Sequence, residues 1–333
     1  MLTTEAVRRR IREVKECLPS ENKIKSSACR NWPEYEKELS DSIRAAFRNI
    51  SPLIDEAVSN IQVSKGRGSP RKLTLKQRVT LLLIKELVGH SNRMMANMLV
   101  VFSMLNDIDV SYKTIERLYS DPEVALAIHN LHVVMLKKKG ITHADTSGDG
   151  TGYSLTVSKH YSSAVQKRHD KVKEIGYGEN QFRREFVYKF ALLDLNTFMY
   201  IAYGASLKSE KEAFEKAMEM LESLDIKVES IRLDKYYSYP FYVDKFQSSK
   251  VYIIPKANCT IKGSQKWKST LKEFLNDTES YLQEYHRRES SEAAFSADKR
   301  RFGWTIGQKR TGRIYCAVSC IALWHNLLNL NAG

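Results

Sequence analysis

ITHADTSGDGTGYSLTV, residues 141–157, decides how this chain folds. Its Ile, Thr, Tyr and Val positions favour the pleated backbone, and it contains no proline, so it reads as a long strand. Two further stretches of the same texture follow: REFVYKFALLDL (184–195) and NTFMYIAYGAS (196–206), joined where LLDLNT reads as a hairpin turn around Asp194. Residues 208–224 then switch to helical spacing, with Phe214, Met218 and Leu221 on one face. A strand ending at Asp234 (VESIRLD), a helix near 239–246, the strand KVYIIPK and closing helices complete the pattern. Three strands, a crossover helix and two more strands describe an α/β fold: a sheet of mixed direction flanked by helices.

Working outward towards the N-terminus, SKGRGSPRK (64–72) concentrates Gly, Pro, Ser and positive charge and reads as a linker. It separates an N-terminal helical region, 1–63, from a second helical region, 73–135, which precedes the α/β domain at 140–333. In the second region Thr74 caps LKQRVTLLLIKEL, which stops at Gly89. A helix at 92–102 follows, and then one capped by Ser111 with Pro122 just beyond its end. Three short helices with tight joins resemble a helix-turn-helix, whose last helix would offer Lys113 and Arg117 to DNA. A small helical bundle that binds nothing is the plainer alternative.

The 333 residues carry 53 Lys and Arg against 39 Asp and Glu, a net charge of +14 that attracts polyanions, nucleic acid first among them. Cys17, Cys29, Cys259, Cys316 and Cys320 form no CxxC pair, which argues against structural zinc and a disulfide framework. The longest apolar stretch, 314–324, is too short to span a membrane. The first 18 residues form a charged amphipathic pattern rather than a signal peptide, so a soluble cytoplasmic, nucleoid-associated protein is expected. No phosphate-binding glycine loop or Ser, His, Asp order is present, which leaves ATP use and acyl transfer without support.

Chemistry concentrates in YLQEYHRRESSEAAFSADKRRFG. Arg288, Glu292 and Lys299 stand three, seven and fourteen positions after Tyr285, which on one continuous helix at about 100° per residue puts all four within an arc of about 60°. Ala293, Ala294 and Phe295 around the acid point to packing on a core. Two other carboxylates stand on strands: Asp234 at the end of its strand, and Asp149 in GDGTGYS, with Asp145 the reserve for the first position. Two Asp and one Glu meeting at a sheet edge would suit a pair of Mg²⁺ or Mn²⁺ ions and phosphodiester chemistry.

With those residues in hand, the chain resembles DDE insertion-sequence transposases of the prokaryotic group whose signature runs Tyr, two residues, Arg, three residues, Glu, six residues, Lys. Tyr285, Arg288, Glu292 and Lys299 meet that spacing without a gap, and DGTGYS and RLDKYYS are similar to the two aspartate motifs. The resemblance covers about 145–329 and implies a ribonuclease H-like core. It assigns Asp149, Asp234 and Glu292 to metal, Arg288 and Lys299 to DNA phosphate, and Tyr285 to packing or bonding beside them. It also implies binding of terminal inverted repeats, strand cleavage and transfer, and a homodimer on double-stranded DNA. A related endonuclease without strand transfer, and a non-catalytic transposase-derived DNA-binding protein, are the alternatives.

Around the signature Arg300, Arg301, Lys309, Arg310 and Arg313 add charge, with Phe302 and Trp304 interleaved, a composition that suits a groove tracking a DNA backbone. Trp304 is read either as a stacking platform there or, more plainly, as core. A second basic run, 159–173, reads as a DNA-facing or solvated loop. Pairing with Glu289 or Asp298 is the structural alternative for Arg288 and Lys299.

Overall fold

The computed structural model describes residues 2–17, 32–63, 71–89, 110–155 and 186–330. Its centre is a six-stranded mixed sheet. β1 (His143–Leu155) pairs antiparallel with β2 (Phe186–Asp194), and β2 pairs antiparallel with β3 (Tyr200–Ser206). On the other edge of β1 lie β4 (Lys227–Leu233) and β5 (Lys250–Ile253), both parallel to it, giving the order β3-β2-β1-β4-β5. β4 covers β1 only as far as Gly148. The two-residue strand β6 (Thr305–Ile306) resumes parallel pairing at Ser154, and among the described residues no strand covers that edge between them.

β2 and β3 are buried almost throughout, because helices lie on both faces of the sheet, and their near-continuous apolar runs follow from that. Phe190 and Leu192 look to one face, where α6 (Glu210–Glu222) contributes Phe214 and Met218 to a common core. Gly204 of β3 sits so close to this helix that a Cβ would overlap the Ala213 carbonyl. Ala191 and Leu193 look to the opposite face, towards Ala294, Phe295 and Ala322. Asp149 is the register partner of Ala191 and so shares this second face.

α1 (Thr4–Cys17) brings Val7, Ile11 and Val14 into the core of the first face, and Arg8 Nε donates to the Cys259 carbonyl at 3.1 Å. α2 (Trp32–Val58), α3 (Leu75–Val88), α4 (Tyr112–Leu118) and α5 (Pro122–Lys139) form a core with the last helix, α11 (Thr311–Asn329). Leu82, Leu131, Ile321 and Trp324 are fully or almost fully buried there, each such side chain contributing about 1.5–3 kcal/mol. Trp324 Nε1 donates to the Leu83 carbonyl at 2.8 Å. The Thr74 capping box and left-handed Gly89 bound α3 as the sequence predicts.

Pro122 does not merely follow a helix: Asp121 caps α5 and Pro122 takes its first turn, where a missing N–H costs nothing. The segment near 239–246 is a short helix, α7 (Pro240–Val243), continued by a 3₁₀ turn. The helix at 92–102 that would complete a helix-turn-helix lies outside the described residues, as does the basic run 159–173. Beyond α7 come α8 (Gln265–Asn276), α9 (Thr278–His286) and α10 (Glu289–Phe302). Among the described residues no helix is long and apolar enough to cross a membrane.

Candidate active site

The signature residues do not share one helix. Tyr285 belongs to α9, and Glu292 and Lys299 to α10, with a turn at 287 and 288 between them. There the backbone tightens to i→i−3 bonds (Arg288 N to Tyr285 O, 3.1 Å; Ser291 N to Arg288 O, 3.0 Å). Ser147 of β1 donates its hydroxyl to the same Arg288 carbonyl at 3.2 Å, and its Oγ also bonds Ser291, so the joint is pinned to the central strand. A single-helix projection misses this because the break contains neither Gly nor Pro.

The joint delivers Arg288 into a carboxylate cluster. One guanidinium nitrogen, Nη1, stands 2.6 Å from Glu292 Oε1 and 3.5 Å from Asp234 Oδ1. Asp234 caps the 3₁₀ turn after β4, its Oδ2 accepting from Tyr236 N at 2.9 Å. Asp149 Oδ1 accepts from Gly150 N at 2.8 Å. Burial, then the nearby charges of Asp234 and Glu292, push the Asp149 carboxyl up to about 7 against the opposing Gly150 bond and Arg288. For Arg288, burial works against the charge, but Tyr285, Asp234 and Glu292 together hold its pKa above the usual value. Tyr285 is buried beneath, its hydroxyl raised to about 12 chiefly by desolvation, with the Arg288 guanidinium 5.5 Å from its ring.

Asp145 belongs to a different network. It accepts from Ser230 Oγ at 2.5 Å and lies 3.7 Å from Arg232 Nη1, whose other arm binds Glu284. Asp194 closes the β2–β3 hairpin as an Asx turn, its Oδ2 accepting from Thr197 N and Oγ1 at 2.8 and 2.7 Å.

Asp149, Asp234 and Glu292 offer hard oxygen donors of the kind divalent cations take. Among the described residues no three His, Cys, Asp or Glu side chains stand close enough together to hold one ion, and Arg288 occupies the space between two of these acids. The Glu292 side chain is 54% exposed and, among the ion pairs of the described residues, held by Arg288 alone, on the open side of the cluster.

A cationic strip continues from the acids along α10. Lys299 lies 4.9 Å from the Trp304 ring and 5.7 Å from that of Tyr153, and burial lowers its pKa. Trp304 is not core: it is 63% exposed, held there because its carbonyl accepts from Ser154 N as the chain enters β6. Arg300 is exposed and Arg301 half-buried. Arg288 pairs with Asp234 and Glu292. Asp298 is buried against Lys189, Tyr200 and His325, contacts that sequence reasoning missed and for which a lone Lys inside an apolar strand is the one signal. On α4, Lys113 and Arg117 are exposed, with Lys113 paired to Glu116 at 3.0 Å. Glu116, whose carboxyl falls to about 2, receives a second bond from Arg313 of α11.

No family model matches the chain. Over 297 residues, which span 89% of this chain and 87% of the relative, it is 42% identical to a protein of Archaeoglobus fulgidus named "Probable transposase for insertion sequence element ISA1214". With that identity over most of both chains, the chain belongs to the insertion-sequence transposases.

Proposed function

We propose that this chain cuts and rejoins DNA at the ends of an insertion sequence through a DDE-type site on a ribonuclease H-like core. Asp149, Asp234 and Glu292 are its metal-holding acids. The observation that carries the reading is the Arg288 cluster: one nitrogen touches two of the acids, and the third titrates in the field of both. An antiparallel three-strand meander extended by two parallel strands supports the core assignment. So does the position of Asp149 and Asp234 where β4 ends and the edge of β1 opens, since ligands of open α/β sheets bind at the carboxyl ends of strands.

When bound, two Mg²⁺ or Mn²⁺ ions would activate the attacking water or 3′-hydroxyl and offset charge on the leaving oxygen. The protein's own part is to present carboxylates, phosphate ligands and a stacking surface. Asp149, its carboxyl raised to about 7, would hold a cation as the carboxylate and so would release its proton in doing so. Arg288 forks onto a DNA phosphate and in doing so leaves Asp234 and Glu292. Lys299, Arg300 and Arg301 follow the backbone beside the cleaved end, with Trp304 a surface on which a base can stack. Lys113 and Arg117 of α4 reach the terminal repeat, and two protomers on one DNA complex bring the two ends together. Such a protein works where the DNA is, in the cytoplasm.

The test is incubation with duplex carrying the sequence that flanks this protein's own gene, with Mg²⁺, comparing the native chain with Glu292→Gln. Loss of cleavage is expected; equal cleavage refutes the catalytic assignment. End-labelled products distinguish hydrolysis alone, the endonuclease alternative, from joining to target DNA.

A further inference from the structure

Beneath α10 lies a buried polar knot that the proposed chemistry does not use. Lys189 of β2 and Asp298 of α10 are both fully buried, Nζ to Oδ2 at 3.5 Å. The Tyr200 hydroxyl, from β3, donates to the same oxygen at 2.9 Å. His325 of α11 places Nδ1 2.8 Å from the other oxygen and Nε2 2.9 Å from the Phe198 carbonyl, and its ring stacks on Tyr200 with centroids 4.0 Å apart. Asn326 grips the Tyr200 backbone at both its N and its O, at 2.7 and 2.8 Å. A single carboxylate thus takes contacts from three separate elements.

Stability does not account for it. Burial lowers the Lys189 pKa and opposes the Asp298 charge, although His325 and Lys189 still hold that carboxyl below its ordinary range. Replacing such a pair by apolar side chains of similar volume is often neutral or stabilising. What apolar side chains supply poorly is a unique rotation and height for a helix, and here α10 otherwise meets the sheet through Ser291, Ala294 and Phe295, two of them small. Glu292 stands six residues before Asp298, about 9 Å along the axis, and Lys299 directly follows it. A slip of one residue would swing both by about 100° around the axis, away from Asp149 and Asp234.

We infer that Asp298, clamped by Lys189, Tyr200 and His325, is a positioning residue: it sets the rotation and height of α10 so that Glu292 and Lys299 face the Asp149–Asp234 edge of the sheet. The inference rests on the proposed role of Glu292 at the reacting centre.

The experiment uses the full chain and the flanking-sequence duplex, reading melting temperature, duplex Kd by fluorescence anisotropy, and the single-turnover cleavage rate at saturating duplex. In the paired variant Lys189→Met with Asp298→Leu, which also strips the Tyr200 hydroxyl and His325 Nδ1 of their shared partner, melting temperature is expected to fall by about 10 °C at most and Kd to stay within about twofold. Its rate is expected to fall by about 30-fold or more, since a misplacement near 1 Å can cost ~10²-fold. Tyr200→Phe, which keeps the ring and removes one donor, should lose about threefold to tenfold in rate at unchanged Kd. If the paired variant does not fold, Tyr200→Phe decides on the same criteria. Rates within twofold of native in the folded variants, while Glu292→Gln is inactive, overturn this inference alone. Native-rate cleavage by Glu292→Gln overturns the proposed function and the inference with it.

Discussion

Asp149, within β1, and Asp234, just past the end of β4, stand at the same height on neighbouring parallel strands: Gly148 and Leu233, the residues before them, are register partners. Asp149 is half-buried, and that desolvation first, with the Asp234 charge beside it adding to it, raises its pKa.

Stability should record this. The Asp149 pKa rises from the ordinary 3.8 to about 7 on folding, so between those values the folded chain holds a proton that the unfolded chain has lost. Stability from this group is present at low pH and is lost as pH climbs from about 4 to about 7. Asp149→Asn removes the effect. In EDTA its melting temperature should match native at pH 4 and exceed it at pH 8, with a ceiling of about 4 kcal/mol. A difference that does not change with pH would contradict the burial of this carboxyl.

Arg288 competes with any cation for Asp234 and Glu292. Arg288→Gln should therefore raise the affinity of the DNA-free protein for Mn²⁺, by roughly tenfold for the loss of one charge-assisted contact of about 1.5 kcal/mol. The same variant should cleave end-bearing duplex more slowly. Isothermal titration with Mn²⁺ reads the first effect, and unchanged affinity would mean that Arg288 does not guard the acids.

Trp304 projects into solvent beside Lys299, so Trp304→Ala should leave stability within about 0.5 kcal/mol. If a base stacks there, binding of end-bearing DNA weakens by about 1–3 kcal/mol. Anisotropy titration of native and variant measures the difference, and equal affinity would leave Trp304 outside the DNA path.

Gly204 lets β3 and α6 approach backbone to backbone. In Gly204→Ala the new methyl meets the Ala213 carbonyl and the Ala217 amide, neither of which can step aside. Destabilisation of about 1–3 kcal/mol or more is expected in urea unfolding; a neutral result would mean that the helix floats on the sheet.

Much of this architecture was legible in the sequence because it is locally encoded. Thr74 and Gly89 bound α3, and the apolar runs 186–194 and 200–206 can only be buried strands. Asp149 and Asp234 could be singled out because they sit beside a glycine-rich stretch and at a strand end. What escaped was decided by distant partners. The turn at 287 and 288 is stabilised by Ser147, 141 residues upstream of Arg288. Trp304 is exposed because β1 captures its backbone and not its ring. Nothing within the helix predicts that Arg288 would sit between two acids, since Asp234 arrives from another element.

α11 sits at the centre of the helical core, yet it is synthesised long after the helices it joins. α2, α3, α4 and α5 emerge from the ribosome early and must wait for Ile314 to Leu330 before their shared interior can close. At ~5–20 residues per second, the interval after α5 is roughly 10–40 s, during which greasy surface stays open to chaperones and to self-association. Premature termination anywhere before α11 would yield a chain that cannot seal this interior, so closure of the helical core hinges on a segment made only after the whole sheet.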